Sequence, residues 1–106
     1  MISEKTIQEA VRRIVQATHP TKAILFGSYA RDEANEGPDL DFMVIEPRVG
    51  NVGEEMVRLR AAVGDVGAGV DVLIYYDEEF ERRSQVPGTV LYWVWKESRV
   101  LYDAAA

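Results

Sequence analysis

No cysteine occurs among the 106 residues, so disulfides and thiolate metal sites are excluded. Histidine is nearly as scarce. His19 stands alone just ahead of Pro20, with no companion to complete a zinc site, and a solvent-facing helix end is its expected place. Positive charge is the minority sign. Twelve Lys and Arg against 18 Asp and Glu leave a net charge of −6, which argues against a free-standing nucleic-acid binder with its basic face. No apolar run approaches the ~20 residues of a bilayer span. The N-terminus lacks the character of a signal peptide, so a cytoplasmic protein without membrane association is expected. There is no repeat, linker or low-complexity stretch beyond Ala104-Ala105-Ala106. What remains, 47% hydrophobic and 28% charged, is ordinary for a soluble globular chain, and residues 1–106 are expected to form one domain.

Gly27-Ser28 follows an apolar, strand-like run, Ala23-Ile24-Leu25-Phe26. A strand ending in a small-residue turn leaves backbone N–H groups and a hydroxyl facing open space, which suits a phosphate. Asp39-Leu40-Asp41 leads into a second run, Phe42-Met43-Val44-Ile45. Carboxylates at i and i+2 of a strand share one face, about 6–7 Å apart along the backbone. Phe42 and Val44 fall on one face of this strand, Met43 and Ile45 on the face of Asp41, so both faces are apolar and coverage on both sides is expected. A carboxylate entering such a strand loses solvation, and an unpaired one is costly. Asp71, inside Val70-Asp71-Val72-Leu73-Ile74, presents the same difficulty. A divalent cation would remove it; the plainer alternative is ion pairing with Arg31 or Arg48.

Gly27-Ser28-Tyr29-Ala30-Arg31, then Asp39-Leu40-Asp41-Phe42-Met43-Val44, then Val70-Asp71-Val72-Leu73 resemble the G-S-x-A-R…D-x-D…D signature of DNA polymerase β-like nucleotidyltransferases. The likeness is greatest to their minimal branch. It extends to Arg99-Val100-Leu101-Tyr102-Asp103, similar to that branch's closing strand. Two positions depart from the pattern: Pro38 replaces a serine before the first aspartate, and Asp32 a glycine after the arginine. The resemblance implies an α/β (α+β) nucleotidyltransferase fold, a mixed β-sheet flanked by helices. It implies a nucleoside triphosphate, ATP by preference, held at Gly27, Ser28 and Arg31. Two Mg²⁺ ions would be held by Asp39, Asp41 and Asp71, with Asp71 also drawing the proton from an attacking hydroxyl. Because minimal members often stand beside a HEPN-type toxin, it further implies an antitoxin that adenylylates a tyrosine of that partner. A non-catalytic antitoxin that binds nucleotide or metal but acts by contact alone is the alternative. These residues leave no room for the second domain that holds the acceptor in many relatives, so another copy or another protein is expected to complete acceptor recognition.

Along the chain, Ser3 is placed to cap a helix over about residues 4–17, with Ile7, Val11, Ile14 and Val15 inward and Arg12 and Arg13 on the solvated side. Strands follow at 22–26, 39–46 and 70–76, with a short helix over 29–33 behind the Gly-Ser turn. Residues 48–53 read as a loop, 54–63 as a helix with Met56, Leu59 and Val63 inward, and 64–69 as a turn without a dinucleotide fingerprint. Asp77 is expected to cap a short helix containing Phe80. Residues 89–95 have high β-propensity, yet the resemblance favours a helix after Pro87-Gly88. Trp93 and Trp95, two positions apart, cannot then both enter one core, so one covers the domain's edge or meets a partner. Residues 100–102 close the sheet.

Overall fold

The computed structural model describes residues 2–27, 40–48, 50–67 and 69–106. Helix α1 (Glu4–Thr18) starts where Ser3 Oγ accepts the Thr6 backbone N–H at 3.2 Å. It ends at His19, which turns into the left-handed region at φ 51° ahead of Pro20, exposed as expected. Strand β1 (Lys22–Phe26) runs antiparallel to β2 (Leu40–Glu46) on one side and to β4 (Arg99–Asp103) on the other. Helix α2 (Val52–Val63) carries the chain from β2 into the parallel strand β3 (Val70–Tyr76). Helices α3 (Asp77–Ser84) and α4 (Val90–Lys96) then lead to β4. Among the described residues the sheet is mixed and four-stranded, in the order β3-β2-β1-β4.

Alternation along the strands builds two cores, one on each face. Ile7, Val11 and Ile14 of α1 and Leu59 and Val63 of α2 pack with Leu25, Phe42, Val44 and Val72. On the opposite face Met43 and Ile45 meet Phe80 of α3 and Leu91 of α4, with Ile24 beneath. β2 is thus covered on both sides, as its two apolar faces required.

Several expectations change. β3 is an edge strand, and on its Asp71 face Asp71 and Leu73 are exposed while Tyr75 is only half-buried. Desolvation therefore does not act on Asp71 as it does within a doubly covered strand; α3 and α4 simply do not extend over the far edge. α2 starts at Val52, two residues early, because Asn51 Oδ1 accepts the Glu54 N–H at 2.9 Å. Asp77 is the first residue of α3 rather than its cap, which is Tyr76. Arg13 leaves the solvated side of α1 and donates from Nη1 to Val63 O at 2.6 Å, satisfying a carbonyl at the end of α2. Residues 90–96 are helical, with Thr89 Oγ1 accepting the Tyr92 N–H at 3.2 Å. Of the two tryptophans, Trp95 turns inward, edge-on to Phe80 with 5.1 Å between centroids, and Trp93 stays 56% exposed.

Candidate active site

Topology brings the described parts of the motif to one end of the sheet. Phe26, the last residue of β1, pairs with Asp41 in the antiparallel ladder, and Asp41 pairs with Asp71 in the parallel one. Laterally paired residues point to the same face, so Phe26, Asp41 and Asp71 lie in a row on the side of α3 and α4. Neighbouring strands stand about 4.8 Å apart, which sets the two carboxylates side by side. Asp41 is half-buried and Asp71 exposed.

Gly27 fixes how close the turn comes to this row. Its φ is +79°, and a Cβ added there would lie 2.7 Å from Asp41 Oδ2. Only glycine both adopts that conformation without strain and leaves the carboxylate its space. Asp41 and Asp71 are hard oxygen donors on adjacent strands, one open to solvent, and that chemistry fits Mg²⁺. Two carboxylates alone do not complete a cluster: among the described residues no group of three His, Cys, Asp or Glu side chains is placed to hold a metal. The expected third ligand, Asp39, lies outside the described residues, as do Ser28, Arg31, Asp32, Pro38 and the helix expected over 29–33. Arg48, offered as an ion-pair partner, sits beyond the opposite end of β2, about 20 Å along the strand from Asp41 at the usual rise per residue. It lines a different hollow with Pro47, Tyr76 and Glu78.

Sequence reading missed the surface adjoining Gly27. Phe26, Gly27, Val90, Trp93, Val94 and Glu97 line a pocket of about 250 Å³ between the β1 turn and α4. The unpartnered tryptophan was its one signal; its position beside Gly27 depends on how α4 docks, which no local pattern encodes. A second missed feature is Glu46, buried at the end of β2. Burial raises its carboxyl to about 7, and Glu55 nearby adds to the rise. The Thr18 hydroxyl contacts both Glu46 Oε1 and Glu55 Oε2, the latter at 2.9 Å. That hydroxyl has one proton to give, so a proton retained on Glu46 satisfies the other contact. Glu55 is held below its usual value chiefly by Arg58, which bonds both its oxygens at 2.7 Å. This cluster stands at the opposite end of β2 from Asp41 and belongs to the scaffold.

Among the described residues no helix is long and apolar enough to cross a membrane. No curated protein matches the chain. Among solved structures, a candidate nucleotidyltransferase from Sulfolobus solfataricus aligns with a TM-score of 0.65 at 18% identity, over 95% of this chain and 80% of that one. A toxin-antitoxin crystallised with AMP-PNP aligns with a TM-score of 0.58 at 17% identity, over 92% and 73%. At such identities the likeness is one of fold. Residues 4–86 match the nucleotidyltransferase domain family, a span that includes Gly27, Asp41 and Asp71 as well as the positions of Ser28, Arg31 and Asp39. The chain belongs to the nucleotidyltransferase domain family.

Proposed function

We propose that this nucleotidyltransferase domain transfers an adenylyl group from ATP to a hydroxyl, and that the hydroxyl is a tyrosine of a HEPN-type toxin partner. The observation that carries the transfer is the lateral pairing of Asp41 with Asp71 beside a glycine that leaves Asp41 Oδ2 its room. The toxin as acceptor is supported by the similarity in fold to a toxin-antitoxin solved with a nucleotide analogue.

In this reading the Gly27-Ser28 turn holds the outer phosphates, with Arg31 beside them. Asp39, Asp41 and Asp71 would hold Mg²⁺, which when bound would supply neutralisation of phosphate charge and polarisation of phosphorus. Asp71, open to solvent at the sheet's edge, is the carboxylate an incoming acceptor meets first. It takes the proton from the hydroxyl as the oxygen attacks the α-phosphorus. The new P–O bond forms, the bond to the bridging oxygen breaks, and pyrophosphate leaves. Positioning and electrostatics do this work, as in phosphoryl transfer generally, and no histidine or cysteine is needed. Asp41 contributes by orientation: Gly27 on one side and Asp71 on the other restrict where its carboxylate can go.

Thermal melting tests the site itself. A ligand that binds only the folded state raises its melting temperature. Millimolar ATP with Mg²⁺ is expected to do so here; superimposable curves with and without the pair would remove the nucleotide site.

A further inference from the structure

Among the described residues the sheet ends in β4 on one side and β3 on the other, and only β4 is guarded. β4 is five residues long, its pairing with β1 shifts register between Ala23 and Ile24, and ion pairs bracket it, Arg99 with Glu4 at 2.7 Å and Asp103 with Lys22 at 3.7 Å. Bulges and charges of this kind keep an edge from recruiting a further strand. β3 runs seven residues in regular register, without Lys, Arg or Pro, and its only charge is Asp71. Gly69 O accepts the Leu40 N–H at 2.9 Å, so by alternation Asp71, Leu73 and Tyr75 turn their backbone groups to β2, while Val70, Val72 and Ile74 turn theirs outward. Among the described residues no strand takes them up. Apolar surface flanks this edge on both sides. Leu73 is exposed on the side of Asp71. On the other side Val57 and Ala61 of α2 and Gly64 at its end share one helix face and, with Arg60, Gly69 and Val70, line an open groove of about 370 Å³ along β3.

We propose that the β3 edge pairs antiparallel with the β3 edge of a second copy, about a two-fold axis at Leu73, joining two sheets into one. The strand is complementary to itself in this register. Val72 faces Ile74 of the second copy, and each such pair exchanges two backbone hydrogen bonds. Leu73 meets Leu73, and Asp71 meets Tyr75, whose phenol can donate to the carboxylate. An axis at Val72 would bury Asp71 against Leu73, and one at Ile74 would set it against Asp77, both costly. The axis at Leu73 also brings the two α2 helices to one face of the joined sheet, where Ala61 and Gly64 permit close approach and Val57 loses its exposure. About a dozen residues a side take part, roughly half those of a standard interface, so the dimer is reversible and forms at high micromolar concentration. It covers Asp71, Leu73 and Val57 together, and so excludes an acceptor from the same edge. Only that last consequence rests on the transfer reading; the interface stands without it.

Sedimentation equilibrium from micromolar to millimolar concentration tests the dimer, with no nucleotide present. Wild type should pass from monomer to dimer. Leu73→Lys, a charge on the exposed side of the edge, should stay monomeric throughout. Val57→Lys should weaken association about ten-fold, and Val100→Lys, on β4, should leave it unchanged. The chain has no cysteine, so Leu73→Cys introduces a sole thiol. In a non-hydrogen-bonded pair across the axis the two Cα atoms stand about 4.5 Å apart, within disulfide reach. Mild oxidation should therefore link Leu73→Cys into a dimer and leave Val100→Cys unlinked. Wild type monomeric at every concentration overturns the proposal and leaves the edge to another chain. A dimer that Leu73→Lys does not dissociate, or linkage of Val100→Cys as fast as that of Leu73→Cys, overturns it too. None of these measurements involves nucleotide, so failure of the transfer reading leaves the interface standing, and failure of the interface leaves transfer standing.

Discussion

At position 27 an added methyl group would stand 2.7 Å from Asp41 Oδ2, on a backbone whose φ of +79° already disfavours any side chain. Gly27→Ala is therefore expected to cost about 1–2 kcal/mol from the left-handed conformation alone. It should cost function more than stability, since relief of the close contact moves the Asp41 carboxylate. Urea unfolding gives the first quantity, and the melting-temperature gain with Mg²⁺ and ATP the second. Unchanged values of both would show that the turn does not position Asp41. The carboxylates themselves make a complementary prediction. Asp41 and Asp71 pair across β2 and β3, and two like charges on one face repel, the more so for the half-buried Asp41. Asp41→Asn should leave stability without metal equal or higher, yet abolish the gain from Mg²⁺ and ATP. A loss of several kcal/mol without metal would instead identify Asp41 as a structural partner. Asp41 was legible in the sequence because a charge leading a strand with two apolar faces is an anomaly wherever that strand lies. The environment of Asp71 was not legible. Its run is as apolar as that of β2, and only the strand order reveals that one face of β3 looks into solvent.

Elements with a strong period appear where their residues place them: β1 and β3 with the expected limits, α1 extended by one residue, and Ser3 as the expected cap. Less came through where two signals of similar strength competed. Residues 90–96 are β-branched and aromatic, and their helix is fixed by a Thr89 cap and by Leu91 and Trp95 packing on Phe80 and its neighbours, contacts distant in sequence. Glu46 was invisible for a related reason: nothing local says that the end of β2 is covered by α1 and α2. Its consequence is a pH effect of definite sign. With the folded-state value raised to about 7 from 4.5, the native protein holds a proton between those limits that the unfolded chain releases. Stability from this group is thus fully present below pH ~4.5 and falls as pH rises toward 7. Glu55 works oppositely. Its lowered value contributes stability above its ordinary range that is lost as pH falls through the lowered one. Denaturant midpoints taken from pH 5 to 7.5 should decline in wild type and flatten in Glu46→Gln, whose neutral amide can donate to the Thr18 hydroxyl as the protonated carboxyl does. An equally steep decline in Glu46→Gln would assign the effect to another group.

Over the molecule as a whole, function is segregated along the sheet: the buried Glu46 cluster closes one end, and Asp41, Asp71 and the Trp93 pocket occupy the other. An acidic chain of net charge −6 can hold a triphosphate there only if cations carry the balancing charge, so nucleotide binding should collapse when Mg²⁺ is chelated. The same segregation separates transfer from docking to a protein acceptor. In the proposed reading, cations at Asp39, Asp41 and Asp71 would act on the triphosphate, whereas docking would draw on exposed side chains such as Val57, Leu73, Val86 and Val100, all outside the carboxylate row. In an Asp39→Asn, Asp41→Asn double variant, partner capture should persist while transfer disappears. Mass spectrometry of the partner after incubation with ATP and Mg²⁺ reads the second, as an added adenylyl group on wild-type treatment and none with the variant. A pull-down under the same conditions reads the first. If the partner is neutralised fully by the double variant, and wild type leaves its mass unchanged, transfer is not the activity. The chain would then act by contact alone on a transferase scaffold, and the glycine and paired aspartates would serve to hold a nucleotide rather than to spend it.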